Sequence, residues 1–154
     1  MRWLSERKNA AFLCFGLGGV LALLLIIYAP VRMNTLVLDG GELLEMGVHC
    51  SEPKNPEEFV YVKDEQLCAE MAKLMKDISL RRVRRAVYVM VREPIYIVNP
   101  VVELDGLKGD HGAGFTVDSK GAVYFHHVQY RTLHKEDGLA LYAAMEQLWQ
   151  QVKQ

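Results

Sequence analysis

Residues 85–104 read RAVYVMVREPIYIVNPVVEL, and their alternation decides the fold. Val87, Val89 and Val91 fall on one face of an extended chain and Ala86, Tyr88 and Met90 on the other, because successive strand side chains point to opposite sides. Both faces are apolar, which predicts a central strand over Arg85–Val91. Glu93-Pro94 interrupts it. Ile95–Leu104 resumes as a neighbouring strand, in which Pro100, lacking a backbone donor, implies an edge position or a bulge.

Helical periodicity brackets this β-rich middle. Upstream, Asp64 is placed to cap a helix whose first turn carries Glu65, a favourable charge at the positive end of the dipole. Leu67, Met71, Leu74, Met75 and Ile78 then form the stripe of an amphipathic helix over Asp64–Leu80, with Cys68 beside it. Downstream from Asp137, Leu141, Met145, Leu148 and Val152 repeat the pattern, with Trp149 on the flank. Phe115–Val117, the turn Asp118–Gly121 and the run Ala122–Tyr130 read as a β-hairpin.

Earlier, Thr35–Leu44 suggests a hairpin about Gly40-Gly41, Cys50–Glu58 a proline-bearing loop, and Phe59–Val62 a short strand. The segment Asp105–Gly114, DGLKGDHGAG, is rich in glycine. A phosphate cradle needs backbone N–H groups at a helix start and usually a Lys-Ser/Thr pair. Neither is present, so the segment reads as a flexible loop. The sum is an α+β domain of approximate order β-β-β-α-β-β-β-β-α, with a mostly antiparallel sheet covered by two helices.

Ahead of this domain stands Ala10–Ala29, AAFLCFGLGGVLALLLIIYA, uncharged and long enough to cross a bilayer as one helix. The expected organisation is a flank over residues 1–9, a transmembrane helix in contact with the lipid bilayer over residues 10–30, and an extracytoplasmic domain over residues 31–154. Arg2, Arg7 and Lys8 precede the span against one acid, Glu6. Only Arg32 follows closely, and the next basic residue is Lys54. That asymmetry keeps the N-terminus in the cytoplasm and puts the domain in the periplasm of a cell with an inner membrane. A cleaved signal peptide is the rival reading, but the apolar run exceeds the usual length, and Tyr28 and Pro30 suit a cleavage site poorly. Cys14, Gly18 and Ala22, at small-xxx-small spacing, are candidates for a homodimer contact between helices.

The chain carries 18 Lys+Arg and 19 Asp+Glu, a formal net charge of −1. Taking away the three bases and one acid before the span leaves 15 against 18, a net of −3 for the exported domain. Such a balance offers no general attraction to nucleic acid.

An oxidising compartment makes a disulfide between Cys50 and Cys68 the expected state of these thiols, contributing on the order of 3 kcal/mol. Zinc is a weaker reading, since neither belongs to a C-x-x-C pair. Arg81, Arg82, Arg84 and Arg85 form the most conspicuous charged cluster. The plain reading is that the first two complement the C-terminal dipole of the preceding helix and the last two guard a strand edge. The functional one is a contact with anionic lipid or an acidic partner.

Catalytic signatures do not assemble. Adjacent residues His126 and His127 on a strand would face opposite ways and could not share a metal. No serine lies in a G-x-S-x-G elbow, and His49 beside Cys50 is poorly placed for proton transfer. Paired carboxylates such as Glu57-Glu58 read as solvated loop charges. The expectation is therefore a non-enzymatic binding or accessory protein of the cell envelope, without cofactor or metal. It would capture a protein partner as an immunity-type inhibitor or an accessory subunit of a membrane or secretion complex. The alternative is an envelope enzyme with a site assembled from scattered residues, Cys50, His111 and His126 among them.

Overall fold

A computed structural model describes residues 17–25, 28–51, 59–85, 94–109, 112–126 and 128–153, side chains of residues 84 and 85 excepted. The elements are β1 (Val31–Arg32), α1 (Met33–Leu38), β2 (Glu42–Ser51), β3 (Val60–Val62), α2 (Glu65–Asp77), β4 (Ser79–Arg85), β5 (Ile95–Leu104), β6 (Leu107–Gly109), β7 (Phe115–Asp118), β8 (Ala122–Phe125), β9 (Val128–Thr132) and α3 (Lys135–Val152). The fold is α+β. Every described strand pairing is antiparallel, in the order β1-β4-β9-β8-β7-β5-β2-β3, with β6 also on β5.

One face of the sheet builds the core. Met46, Val48 and Cys50 on β2 stand opposite Pro100, Val98 and Tyr96 on β5, and Phe115, Val117 and Val123 continue the layer across the next two strands. α2 contributes Cys68, Met71 and Met75, and α3 contributes Leu141, Met145, Leu148 and Trp149. Leu67, Met71 and Leu74 of α2 and Leu148 of α3 border one open cleft between the two helices. α2 begins where expected, with Asp64 Oδ1 accepting from the Leu67 amide at 2.9 Å.

Several local expectations are corrected. Thr35–Leu44 does not form a hairpin: residues 33–38 coil into α1 because Met33 and Val37, four residues apart, both bury completely. The chain leaves α1 through Asp39 and Gly40, at φ of +48° and +86°. Leu80 belongs to β4, α2 having ended at Asp77. Asp105–Gly114 is not simply a loop. Asp105 (φ +52°) and Gly106 (φ +78°) make a two-residue hairpin turn, with Leu104 and Leu107 as partners, the Asp-Gly pattern that suits a primed turn.

Pro100 sits inside the sheet rather than at its edge or in a bulge. On the flank of β5 away from β2, β7 pairs only as far as Val98 and β6 begins at Val102, so the proline falls in a gap where no donor is required. The run Ala122–Tyr130 is two strands. Phe125 pairs with Val128, so the chain reverses within the two positions between them, and His126 takes φ +42°. The central strand expected over Arg85–Val91 lies, beyond Arg85, outside the described residues, as do most of the loop over Cys50–Glu58 and much of Ala10–Ala29. Among the described residues no helix is long and apolar enough to cross a membrane.

Candidate functional site: a basic surface on β4, β9 and the β7–β8 turn

β4 carries the four-arginine cluster. Arg81 and Arg82 are not dipole partners for α2, because they lie on the strand. It is Arg32 that reaches the helix end, its Nη1 donating to the Lys76 carbonyl oxygen at 3.1 Å. Arg81 stands directly opposite Arg131 on β9, and Arg82 opposite Tyr130. Register shifts between Arg82 and Arg84, which leaves Val83 as an irregularity, 41% exposed. Arg84 and Arg85 pair with Gln129 and Val128. Directly opposed like charges destabilise a sheet, so the Arg81–Arg131 pairing is a feature that stability alone does not favour.

Beside Arg131 opens a cavity of about 360 Å3, lined by Asp118, Lys120, Gln129, Arg131, Thr132 and Lys135 among others. Its one carboxylate is already engaged by the turn. Asp118 Oδ1 accepts from the amides of Lys120 (3.0 Å) and Ala122 (2.8 Å), and Oδ2 accepts from the Tyr124 hydroxyl (2.9 Å). Gln129 Nε2 donates to that hydroxyl at 3.3 Å. Among the described residues, no carboxylate lies within ion-pair distance of Arg81, Arg82, Lys120, Arg131 or Lys135. A larger open cavity of about 820 Å3 near the start of α2 is different: there Glu45 accepts both Lys63 (3.7 Å) and Lys108 (3.5 Å). The first cavity therefore carries an excess of positive charge, three cations against one carboxylate, and the second does not.

The other sequence candidates are not brought together. Cys50 and Cys68 are both buried and not joined. The Cys68 thiol faces the carbonyl oxygens of Leu44 and Val62, at 3.6 and 3.8 Å. Leu44 and Met46, the latter paired with Val62, precede Cys50 by six and four positions on β2, roughly 13–20 Å at the usual strand rise, so the two thiols stand apart and unjoined in this fold. Burial first, then the charges of Asp64 and Glu45, push the Cys68 thiol above its ordinary pKa.

Cys50 instead stands beside Tyr96, whose ring lies 5.2 Å from that of Tyr142. Burial first, then these neighbours and Glu146, raises the Tyr96 hydroxyl well above its ordinary range. His49, 4% exposed, packs against Phe59 and Trp149, at ring separations of 5.4 and 6.5 Å. His126 is exposed at a hairpin tip, three strands and three residues from Cys50, on the order of 15–20 Å away. His111 and His127 lie outside the described residues. Among the described residues, no group of three His, Cys, Asp or Glu is arranged to hold a metal.

Sequence reasoning found the arginines of β4 but missed Arg131, Lys120 and Lys135. They are scattered over three elements, and the signal that would have joined them is the strand pairing itself. No known protein family matches this sequence, nor does any curated protein or solved structure.

Proposed function

We propose that this protein is a single-pass, membrane-anchored binding module of the cell envelope, with its N-terminus cytoplasmic and its domain periplasmic. In this role it captures a protein partner, as an immunity-type inhibitor or as an accessory subunit of a membrane or secretion complex. The observation that carries the reading is the helix over residues 17–25. All nine residues are exposed, and Leu17, Val20, Leu21, Leu23, Leu24 and Leu25 present 44% to 68% of their surface. Burying such a side chain is worth about 1.5–3 kcal/mol, so six left in water forgo a large stabilisation that a bilayer supplies. Arg2, Arg7 and Lys8 ahead of the run favour the cytoplasmic side for the N-terminus. The cavity bounded by Lys120, Arg131 and Lys135 is the surface we assign to the partner, through an acidic group.

Membranes from cells expressing the full chain test both halves. The protein should stay in the pellet after alkaline carbonate extraction, and protease added to spheroplasts should remove the domain. Extraction into the supernatant, or protection from external protease, overturns the anchored reading. Affinity purification from solubilised membranes should recover a protein that the Lys120→Glu, Arg131→Glu double variant loses. A partner retained by that variant overturns the assignment of the cavity.

A further inference from the structure

We infer that strand β4 lies against the membrane that holds the anchor, with Arg81 and Arg82 on anionic lipid headgroups. This rests on the anchored reading above and adds the surface that faces the bilayer. The chain passes from Pro30 straight into β1, whose residues Val31 and Arg32 pair with Leu80 and Ser79. The pairing is antiparallel. Each step along β4 past Leu80 therefore runs back along the path by which the chain left the apolar helix. One step along β4 past Leu80, Arg81 lies on the Pro30 side of the pairing, next to the bend at Ala29 where the chain leaves the apolar helix, and Arg82 follows it.

Charge and polarity agree with that position. Arg81 and Arg82 are exposed and have no carboxylate partner among the described residues, and Arg131 adds its charge beside Arg81. Val83, at the irregularity between the arginines, offers an exposed apolar group, and Tyr28 at the end of the apolar run is 49% exposed. Basic residues flanking small apolar groups and an aromatic are the composition of a surface that rests at headgroup depth. β1 covers β4 only at Ser79 and Leu80, so among the described residues the far edge of Arg81–Arg85 is open. A basic edge also discourages strand addition by other chains, but that duty requires no particular position relative to the anchor.

The test uses the full chain in nanodiscs of phosphatidylcholine alone and of phosphatidylcholine mixed with phosphatidylglycerol, followed by amide hydrogen exchange. Incorporation into both discs reports the anchor, and its absence overturns the anchored reading. Given incorporation, the amides of residues 79–85 should exchange several-fold more slowly in the anionic discs, and high salt should erase the difference. Each arginine near an anionic surface shifts the docked-to-undocked ratio by roughly five-fold. The Arg81→Gln, Arg82→Gln double variant should therefore lose roughly 25-fold, while exchange in β2 and β5 no faster than in the parent chain certifies the fold. Equal protection of β4 in the two lipids, or protection indifferent to the double substitution, overturns the inference.

Discussion

The carbonyl oxygen of Gly121 rests where a Cβ of Gly138 would stand, so the β7–β8 turn and the first turn of α3 meet backbone to backbone. The contact holds the loop bearing Lys120 against the helix start bearing Lys135, and thereby fixes two walls of the basic cavity. Gly121 is also at φ +74°, a conformation that glycine adopts without steric cost.

Gly138→Ala is accordingly expected to destabilise, although alanine is normally the better helix former by about 1 kcal/mol. Overpacking costs about 1–3 kcal/mol, and here the obstacle is backbone, so a net loss of about 1–2 kcal/mol should appear in urea denaturation. An unchanged or raised midpoint would contradict the contact.

Asp118 ties the same turn together. Asp118→Ala removes acceptors for two amides and the Tyr124 hydroxyl, and should cost about 2–3 kcal/mol, whereas Tyr124→Phe, which removes one donor, should cost about 1 kcal/mol. Both are read from chemical denaturation. If the two variants prove equally stable, the turn amides do not depend on the carboxylate.

Arg81→Gln should stabilise the domain by a few tenths to 1 kcal/mol by relieving the repulsion from Arg131. Combined with Arg82→Gln, it should also weaken lipid contact. A stability gain coupled to a loss of membrane docking would mark the Arg81–Arg131 pairing as kept for function. A destabilised single variant would instead reveal a structural role.

The two thiols predict a redox and a pH response. Mobility on a denaturing gel should be the same with and without reductant, and both thiols should react with a thiol reagent only after unfolding. Cys68 and Tyr96 have pKa values raised in the folded state from ordinary values of 9.0 and 10.0. Each therefore holds its proton more tightly when folded, and its contribution is fully present below those values. It is lost as pH rises beyond them. Thermal midpoints should fall above about pH 9, and Tyr96→Phe should flatten the steeper part of the fall above about pH 10. A midpoint that is flat or rising through this range would contradict the raised values.

How far the sequence could be read depended on whether the deciding contacts were local. α2 was legible because a cap and a stripe are written within one stretch, and Asp64, Met71 and Met75 behave as that stretch implies. β5 was legible in extent but not in place, since nothing near Pro100 records where β6 and β7 stop. α1 was missed because Thr35–Leu38 is β-prone in isolation, and only the burial of Met33 and Val37 against the core favours a helix. His126 was misplaced for the converse reason: a two-residue reversal with no glycine leaves no ordinary turn signal. For the site, consecutive arginines are conspicuous. Arg131, Lys120 and Lys135 become a cluster only once the hairpins close.

Under the proposed membrane anchor, the two-residue strand β1 bears on how far the domain could reach. With the sheet beginning one residue after Pro30, there is no slack between the apolar helix and the folded body. Among the described residues the longest strands, β2 and β5, have 10 residues each, roughly 30–35 Å at the usual rise. Under the anchor we propose, a partner would have to come within about that height of the bilayer, and the domain would serve as a short fixed post rather than a tethered float.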